Sequence, residues 1–333
     1  MQYMYKMLFY STLMTGTIIT ISSTSWMGMW MGLEINLLSM IPILTNSTNQ
    51  YQSEAAMKYF IAQTLASLIL LLSITMMMTQ INIIMNTSVK MIMNSAILMK
   101  MGAAPFHFWL PEMMEGLNWN NSLIMLTWQK IAPMVLIMYS KLSSMLIMAI
   151  VSSMMISGLM GINQTSLRKI MAYSSINHVG WMLSSIMVNK TIWITYLLIY
   201  SMITFNIIYL FNQSNMYFMK QFINSMQMSK MSKLLMSLNF LNLAGLPPFI
   251  GFMPKWLTIN YLINNNLIIL TLIMIISTLM TIFFYMRISF TSMIIFTPNT
   301  HKLKKTMMNY KNTWFNLMSI SMLPLSTIMF NFI

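Results

Sequence analysis

Long apolar runs separated by short polar breaks set the pattern of the whole chain. A membrane helix needs about 20 apolar residues, and eleven runs predict such helices: Met4–Ile21, Trp26–Leu44, Ala55–Thr79, Ser88–Ala104, Ser122–Ser140, Met145–Ile162, Ile170–Val188, Thr191–Phe211, Ser232–Ile263, Leu267–Met286 and Thr313–Phe332. The fourth run ends in Gly102 and Pro105, and the ninth contains Gly245-Leu246-Pro247-Pro248 and then Pro254. Both are therefore predicted to break in or at the edge of the bilayer, where the interrupted backbone has to be buried by protein. Each broken run is the fourth in a block of five, which divides one transmembrane domain into residues 1–141, residues 142–290 and a loop with a C-terminal helix over 291–333. Five is odd, so the second block is expected to be inverted relative to the first. Interrupted segments at matching places in two halves point to the ion site of a transporter.

Composition removes the soluble alternatives. Of 333 residues, 57% are hydrophobic and 7% charged, against roughly 25% charged in a soluble domain. The absence of Cys excludes disulfides, thiolate metal sites and iron–sulfur clusters within the chain. With His only at 107, 178 and 301, a zinc site is not expected. Met occurs 47 times, a usage that packing does not require and that an AT-rich genome reading AUA as Met, as in mitochondria, would produce. The N-terminal segment has one Lys and no small-residue cleavage site, so it does not read as a processed signal or transit peptide.

The net charge of +14 rests on 18 Lys and Arg against Glu34, Glu54, Glu112 and Glu115. These basic residues are dispersed, which argues for membrane orientation and against nucleic-acid binding. With the N-terminus on one side, alternate loops collect Lys6, Lys58, Arg168, Lys169, Lys220, Lys230, Lys233, Arg287, Lys302, Lys304, Lys305 and Lys311 there, and the opposite side receives Lys90, Lys141 and Lys190. The positive-inside rule then predicts the N-terminus in the matrix or cytoplasm and, with eleven spans, the C-terminus across the membrane.

Lys100, Lys130 and Lys255 fall inside predicted spans. A lysine at the bilayer centre costs about 2.5–3.5 kcal/mol even on the lenient insertion scale. Such a residue either snorkels to the headgroups or carries a charge whose switching serves proton transfer. Glu34, the only acid well inside an apolar run, needs a partner, and Lys100 is the candidate for an ion pair that either gates a proton or holds two helices in register. His178 lies midway along the seventh run among Ser174, Ser175 and Asn177. Its ordinary pKa near 6.5 suits proton shuttling, with a packing histidine, or a haem ligand paired with His107, as the alternatives. Glu112 and Glu115 are placed in a surface loop, either solvated or collecting protons. Asn-x-Ser/Thr sequons such as those at Asn46, Asn86, Asn163 and Asn189 are weak matches in so Asn-rich a chain, and no Walker loop, dinucleotide fingerprint or Ser-His-Asp arrangement occurs.

The segments 100–112 (Lys-Met-Gly-Ala-Ala-Pro-Phe-His-Phe-Trp-Leu-Pro-Glu), 127–133 (Thr-Trp-Gln-Lys-Ile-Ala-Pro), 163–181 around Tyr173 and His178, and 245–256 (Gly-Leu-Pro-Pro-Phe-Ile-Gly-Phe-Met-Pro-Lys-Trp) resemble the proton-channel core of the antiporter-like subunits of respiratory complex I. The resemblance covers nearly the whole chain. It implies an all-α polytopic fold with two inverted five-helix bundles, two discontinuous helices, a half-channel in each bundle and a polar axis joining them at mid-membrane. On this chain it implies Glu34 and Lys100 as a gating pair, Lys130 as the link between half-channels, His178 as relay and Lys255 as the terminal site. It further implies a mitochondrial inner-membrane location and proton movement driven from elsewhere in the complex. No cofactor is then expected in this chain; FMN, iron–sulfur clusters and ubiquinone belong to other subunits. The expected partners are the other core membrane subunits, accessory subunits and phospholipids such as cardiolipin, and no nucleic acid. Bacterial members have three further N-terminal helices, so the surface those would cover is expected to meet lipid or accessory subunits. Two other readings remain at this point: a stand-alone cation/proton antiporter, and a structural anchor that pumps nothing.

Overall fold

The computed structural model describes residues 2–45, 49–79, 83–225 and 230–294. These residues are helical, with no strand among them, and they divide into two compact units that part between Ser153 and Met154. Among the described residues, six helical stretches are long and apolar enough to cross a membrane, with Trp119–Tyr139 counted as one. The eleventh predicted span and His301 lie outside the described residues.

The first unit opens with α1 (Gln2–Ser22) and α2 (Trp26–Leu44). A short turn joins them, and the Ser25 hydroxyl accepts the Gly28 N–H at 3.3 Å, which caps α2. The two helices approach closely because both contact positions lack a Cβ. An added Cβ on Gly32 would stand 2.6 Å from Thr20 Cγ2 and 2.9 Å from the Gly16 oxygen. Next, α3 (Gln50–Thr79) has 30 residues, or about 45 Å of helix against about 30 Å of hydrocarbon. This excess leaves room for a charged end: Lys58 pairs with Glu54 at 3.0 Å and with Glu112 at 3.4 Å.

α4 (Ile83–Met101) stops at Gly102, as the sequence predicts, and α5 (Trp109–Gly116) follows. Glu112, expected in a loop, lies in the first turn of α5, where a carboxylate favours the positive helix end. Gly116 at the end of α5 lets it pack on α3, since a Cβ there would stand 2.4 Å from the Tyr51 oxygen. The predicted continuous fifth span is instead three pieces: α6 (Trp119–Leu126), a 3₁₀ turn over Trp128–Lys130, and α7 (Ile131–Tyr139). Pro133 explains the interruption, because it has no N–H to offer the carbonyl of Gln129 four residues back. α8 (Ser143–Ile162) begins in the first unit and ends in the second.

The second unit contains α9 (Leu167–Val188), α10 (Lys190–Ser214), α11 (Met219–Ser225), α12 (Lys230–Ala244), α13 (Phe252–Asn264) and α14 (Ile268–Ile294). The Asn189 side chain accepts the Thr191 N–H at 3.0 Å and starts α10 one residue after α9 ends. The segment from Asn212, predicted as loop or interfacial piece, holds the short α11. Leu167 N–H donates to Tyr217 O at 2.9 Å and Met219 N–H to Thr165 O at 3.0 Å, tying this segment to the start of α9. The tenth predicted span runs on past Met286 into α14, so Arg287 is helical and donates to the Ile162 oxygen.

Many Ser and Thr sit inside these helices without a buried penalty because their hydroxyls bond back to carbonyls three residues earlier. Ser73 to Leu70 at 2.6 Å, Ser153 to Ile150 at 2.9 Å and Ser174 to Met171 at 2.7 Å are examples.

Candidate functional site

The two broken helices are built on one backbone plan. α4 and α12 each end one residue before a glycine of positive φ, Gly102 at +71° and Gly245 at +73°, a conformation that costs other residues roughly 1–2 kcal/mol. In both, the glycine N–H bonds to the carbonyl three residues back, Met99 at 3.1 Å and Asn242 at 3.0 Å. The next residue bonds five back, Ala103 to Leu98 at 3.1 Å and Leu246 to Leu241 at 3.4 Å. Together these bonds satisfy carbonyls that a helix end leaves open. A cis X-Pro bond follows at the same place in each, Ala104-Pro105 and Pro247-Pro248. The second half-helix then starts with Trp109 in one case and Phe252 in the other.

The lysines do not occupy equivalent places on this plan. Lys100 precedes its glycine by two residues and sits in the last turn of α4. Lys255 follows its glycine and lies in α13, at the position that Glu112 holds in the first break. Lys100 thus lies in the last turn of its own half-helix, and Lys255 reaches from α13 to the negative end of α12, where a cation is attracted. Lys255 Nζ donates to the Ala244 oxygen at 2.7 Å. The carbonyl of Lys100 itself accepts Gln63 Nε2 at 3.2 Å.

Burial decides the question of snorkelling. Lys100, Lys130 and Lys255 are 6%, 3% and 6% exposed, so none of them runs along a lipid-facing surface to the headgroups. In the first unit, Lys100 and Lys130 line one cavity with Tyr59, Gln63 and Gln129, and this cavity leaves about 10 Å³ for a water centre, roughly one molecule. A second cavity of the same size adjoins Lys100 on the side of Leu33, Asn36 and Leu37. Gln129 and Gln63 line both, and Gln129 Nε2 donates to Asn36 Oδ1 at 3.0 Å. Lys130 enters this site from the 3₁₀ turn that Pro133 imposes.

Glu34 is half-buried on α2, one turn from Leu37. No ion pair joins it to Lys100 among the described residues. The expected direct pair is therefore not formed: Glu34 stays half-exposed while Lys100 is buried.

In the second unit His178 is 5% exposed on α9. Its Nδ1 lies 2.9 Å from the Tyr196 hydroxyl, and the Tyr200 ring packs 4.8 Å from its centroid. One turn along α9, the ring of Trp181 faces Lys255 Nζ at 5.9 Å, within reach of a cation–π attraction. Asn177 Nδ2 donates to Thr281 Oγ1 at 3.3 Å. Lys255, Trp181 and His178 thus form one neighbourhood of α9 and α13.

Residues 23–281 match the family described as NADH:quinone oxidoreductase/Mrp antiporter, TM. The chain belongs to this family. Its similarity extends to NADH-ubiquinone oxidoreductase chain 2 of Anopheles gambiae, 44% identical over 98% of this chain and 94% of the relative. The protein of the same name from Loxodonta africana is 37% identical over 89% of this chain and 88% of its own. In fold, the chain is similar to one in respiratory complex I from Thermus thermophilus with bound aureothin, with a TM-score of 0.83 at 19% identity over 96% of this chain and 78% of that one. It is also similar to a chain of the Mrp complex from Dietzia, with a TM-score of 0.73 at 16% identity over 86% of this chain and 60% of that one.

Within this antiporter family frame, the geometry adds residues that sequence reasoning passed over. Gln63 and Gln129 are amides on the cavity walls, and Tyr196 is the hydrogen-bond partner of His178. The signal available for them was their polarity inside apolar runs, and for the turn at Lys130 it was Pro133.

Proposed function

We propose that this chain works as a proton-channel subunit in the membrane arm of a proton-translocating NADH:ubiquinone oxidoreductase, respiratory complex I, in the mitochondrial inner membrane. Membership of the family and relatives of that name along nearly the whole chain support this reading. The observation that carries the channel role is the shared cavity of Lys100 and Lys130, two buried lysines with water-sized space and amide walls between them. Buried lysines exchange protons readily, and intramembrane ionisable groups of this kind serve proton relays.

In this reading Glu34 biases Lys100 through its charge, Lys100 passes a proton by way of the cavity to Lys130, and His178 and Lys255 form the corresponding relay in the second unit. Eleven spans in two inverted five-helix repeats, with the N-terminus in the matrix and the C-terminus in the intermembrane space, complete the proposal. The repeated break supports the repeat: whether the halves divide after residue 141 or within α8, α4–α5 fall in the first and α12–α13 in the second. Electron transfer through FMN, iron–sulfur clusters and ubiquinone is assigned to other subunits, in keeping with the lack of Cys. Other complex I subunits are its partners, and cardiolipin and accessory subunits are proposed for its lateral surface.

The test is Lys130→Met in the assembled complex, reconstituted in liposomes, with NADH oxidation and proton uptake measured together. The expected result is a lower ratio of protons to electrons. An unchanged ratio would reduce the chain to a structural anchor. The second reading, a cation/proton antiporter working without NADH-oxidising partners, rests on the family description, which covers Mrp antiporters as well as quinone oxidoreductases. Native electrophoresis of gently solubilised inner membranes separates the two by locating the chain in or outside the large NADH-oxidising band.

A further inference from the structure

Asn242 holds the place in the second break that Met99 holds in the first, and there the two breaks part ways. In the first, the indole of Trp109 crosses the gap and donates from Nε1 to the Met99 oxygen at 3.0 Å. In the second, the crossing is made by the side chain of Asn242, whose Oδ1 accepts the Gly251 N–H at 2.8 Å while its main-chain oxygen accepts the Gly245 N–H at 3.0 Å. One residue therefore bonds to both ends of the interruption. Asn242 is fully buried at 0% exposure. Gly251 presses on it so closely that a Cβ would fall 1.9 Å from the Asn242 oxygen. Asn is a poor helix former, and its place in the last turn of α12 is accounted for by the bond that it makes across the gap. Gly251 is the N-cap of α13, and Lys255 comes one turn later, where Nζ reaches Ala244 O.

We propose that Asn242 is the positioning residue for Lys255: by tying Gly251 to the last turn of α12, it fixes where α13 starts and hence where the ammonium stands. The lysine stem is long and flexible, so its tip is defined only as well as the helix that carries it. Loss of the tie leaves the Gly251 N–H without its partner in a setting where water does not replace it. The start of α13 is then free to swing, and Nζ moves off the Ala244 carbonyl and the Trp181 ring. This inference rests on the reading of Lys255 as a proton site.

The experiment uses the assembled complex in liposomes and compares proton-to-electron ratios for Asn242→Leu, Asn242→Asp, Lys255→Met and the double variant Asn242→Leu/Lys255→Met, with native electrophoresis as the measure of assembly. Where Asn242→Leu assembles poorly, Asn242→Ser, which is too short to reach Gly251, takes its place. The expected result is that Asn242→Leu lowers the ratio as far as Lys255→Met does, that the double variant is no lower than Lys255→Met alone, and that Asn242→Asp, which keeps an acceptor oxygen, restores the ratio. An unchanged ratio for Asn242→Leu beside a lowered one for Lys255→Met overturns the positioning role alone. A double variant lower than both singles also overturns it, since Asn242 then acts apart from Lys255. An unchanged ratio for Lys255→Met overturns the reading of Lys255 itself and the inference with it.

Discussion

The paired substitutions Gly245→Ala and Gly102→Ala separate backbone strain from displacement of a lysine. Both glycines have nearly the same positive φ, +73° and +71°, so alanine adds about 1–2 kcal/mol of strain at either. At Gly102 the new Cβ meets Leu110 Cβ at 3.2 Å, Leu110 Cδ1 at 3.3 Å and Trp109 Cζ2 at 3.3 Å. These are a few tenths short of ordinary contact at about 3.5–4.0 Å, and side chains absorb them. At Gly245 the Cβ falls 2.9 Å from Lys255 Nζ, 2.9 Å from Cδ and 3.0 Å from Cε. The lysine tip has to leave, and the charged hydrogen bond to Ala244 goes with it, a loss of about 1.5–3 kcal/mol. The expected destabilisation is thus roughly 2.5–5 kcal/mol for Gly245→Ala and about 1–2 kcal/mol for Gly102→Ala. Thermal release of the chain from the complex reads the stabilities, and liposome proton uptake per NADH oxidised reads the coupling. Gly245→Ala should lower both, while Gly102→Ala should lower each by less, since the Leu110 and Trp109 side chains of the cavity wall give way. Equal loss of coupling in the two variants, or full coupling in Gly245→Ala, would refute the placement of Lys255 against the glycine.

Three further outcomes are expected. Tyr196→Phe removes the hydroxyl 2.9 Å from His178 Nδ1, so it should cost about 1–3 kcal/mol of stability and lower the proton-to-electron ratio while NADH oxidation persists; an unaltered ratio would make the contact mere packing. Gly32→Ala puts a Cβ 2.8 Å from the Thr20 nitrogen and 2.9 Å from the Gly16 oxygen; overpacking of about 1–3 kcal/mol should outweigh about 1 kcal/mol of helix propensity, seen as less assembled complex on native gels. Pro133→Ala returns an N–H to the Gln129 carbonyl, which should add about 0.5–1.5 kcal/mol of stability but let the 3₁₀ turn relax and carry Lys130 away from the cavity, so that a stabler subunit couples less well; unchanged coupling would show that the turn does not matter.

Both broken helices were legible in the sequence because Gly102 with Pro105, and Gly245 with Pro247 and Pro248, leave a helix no other course. The buried lysines were legible for a related reason, since a charge in an apolar run is conspicuous. What was missed depends on neighbours distant in the chain. Gln129 is one polar residue among many until Asn36, 93 positions away, supplies its partner. Glu34 and Lys100 suggested an ion pair by charge alone, but the carboxylate is half-exposed and the lysine buried. Pro133 lies well inside the predicted span Ser122–Ser140, and only the observed turn shows that it sets the backbone at Lys130. The match between the two breaks was written out as Gly, Pro-Phe and Pro at equal spacing, yet its meaning lay in equal φ values and hydrogen bonds.

The burial of α9 bears on how this chain is made. Nearly every side chain from Ile170 to Ile186 is enclosed, and α9 is not among the six helices apolar enough to cross a membrane by composition. A segment bearing Ser174, Ser175, Asn177, His178, Ser184 and Ser185 gains little by entering lipid alone. Its insertion is therefore coupled to that of α10 and the later helices that enclose it, and a chain interrupted before α10 is synthesised would hold α9 at the insertion machinery. The polar side chains of α9 thus make biogenesis of the second unit a cooperative act rather than a stepwise one.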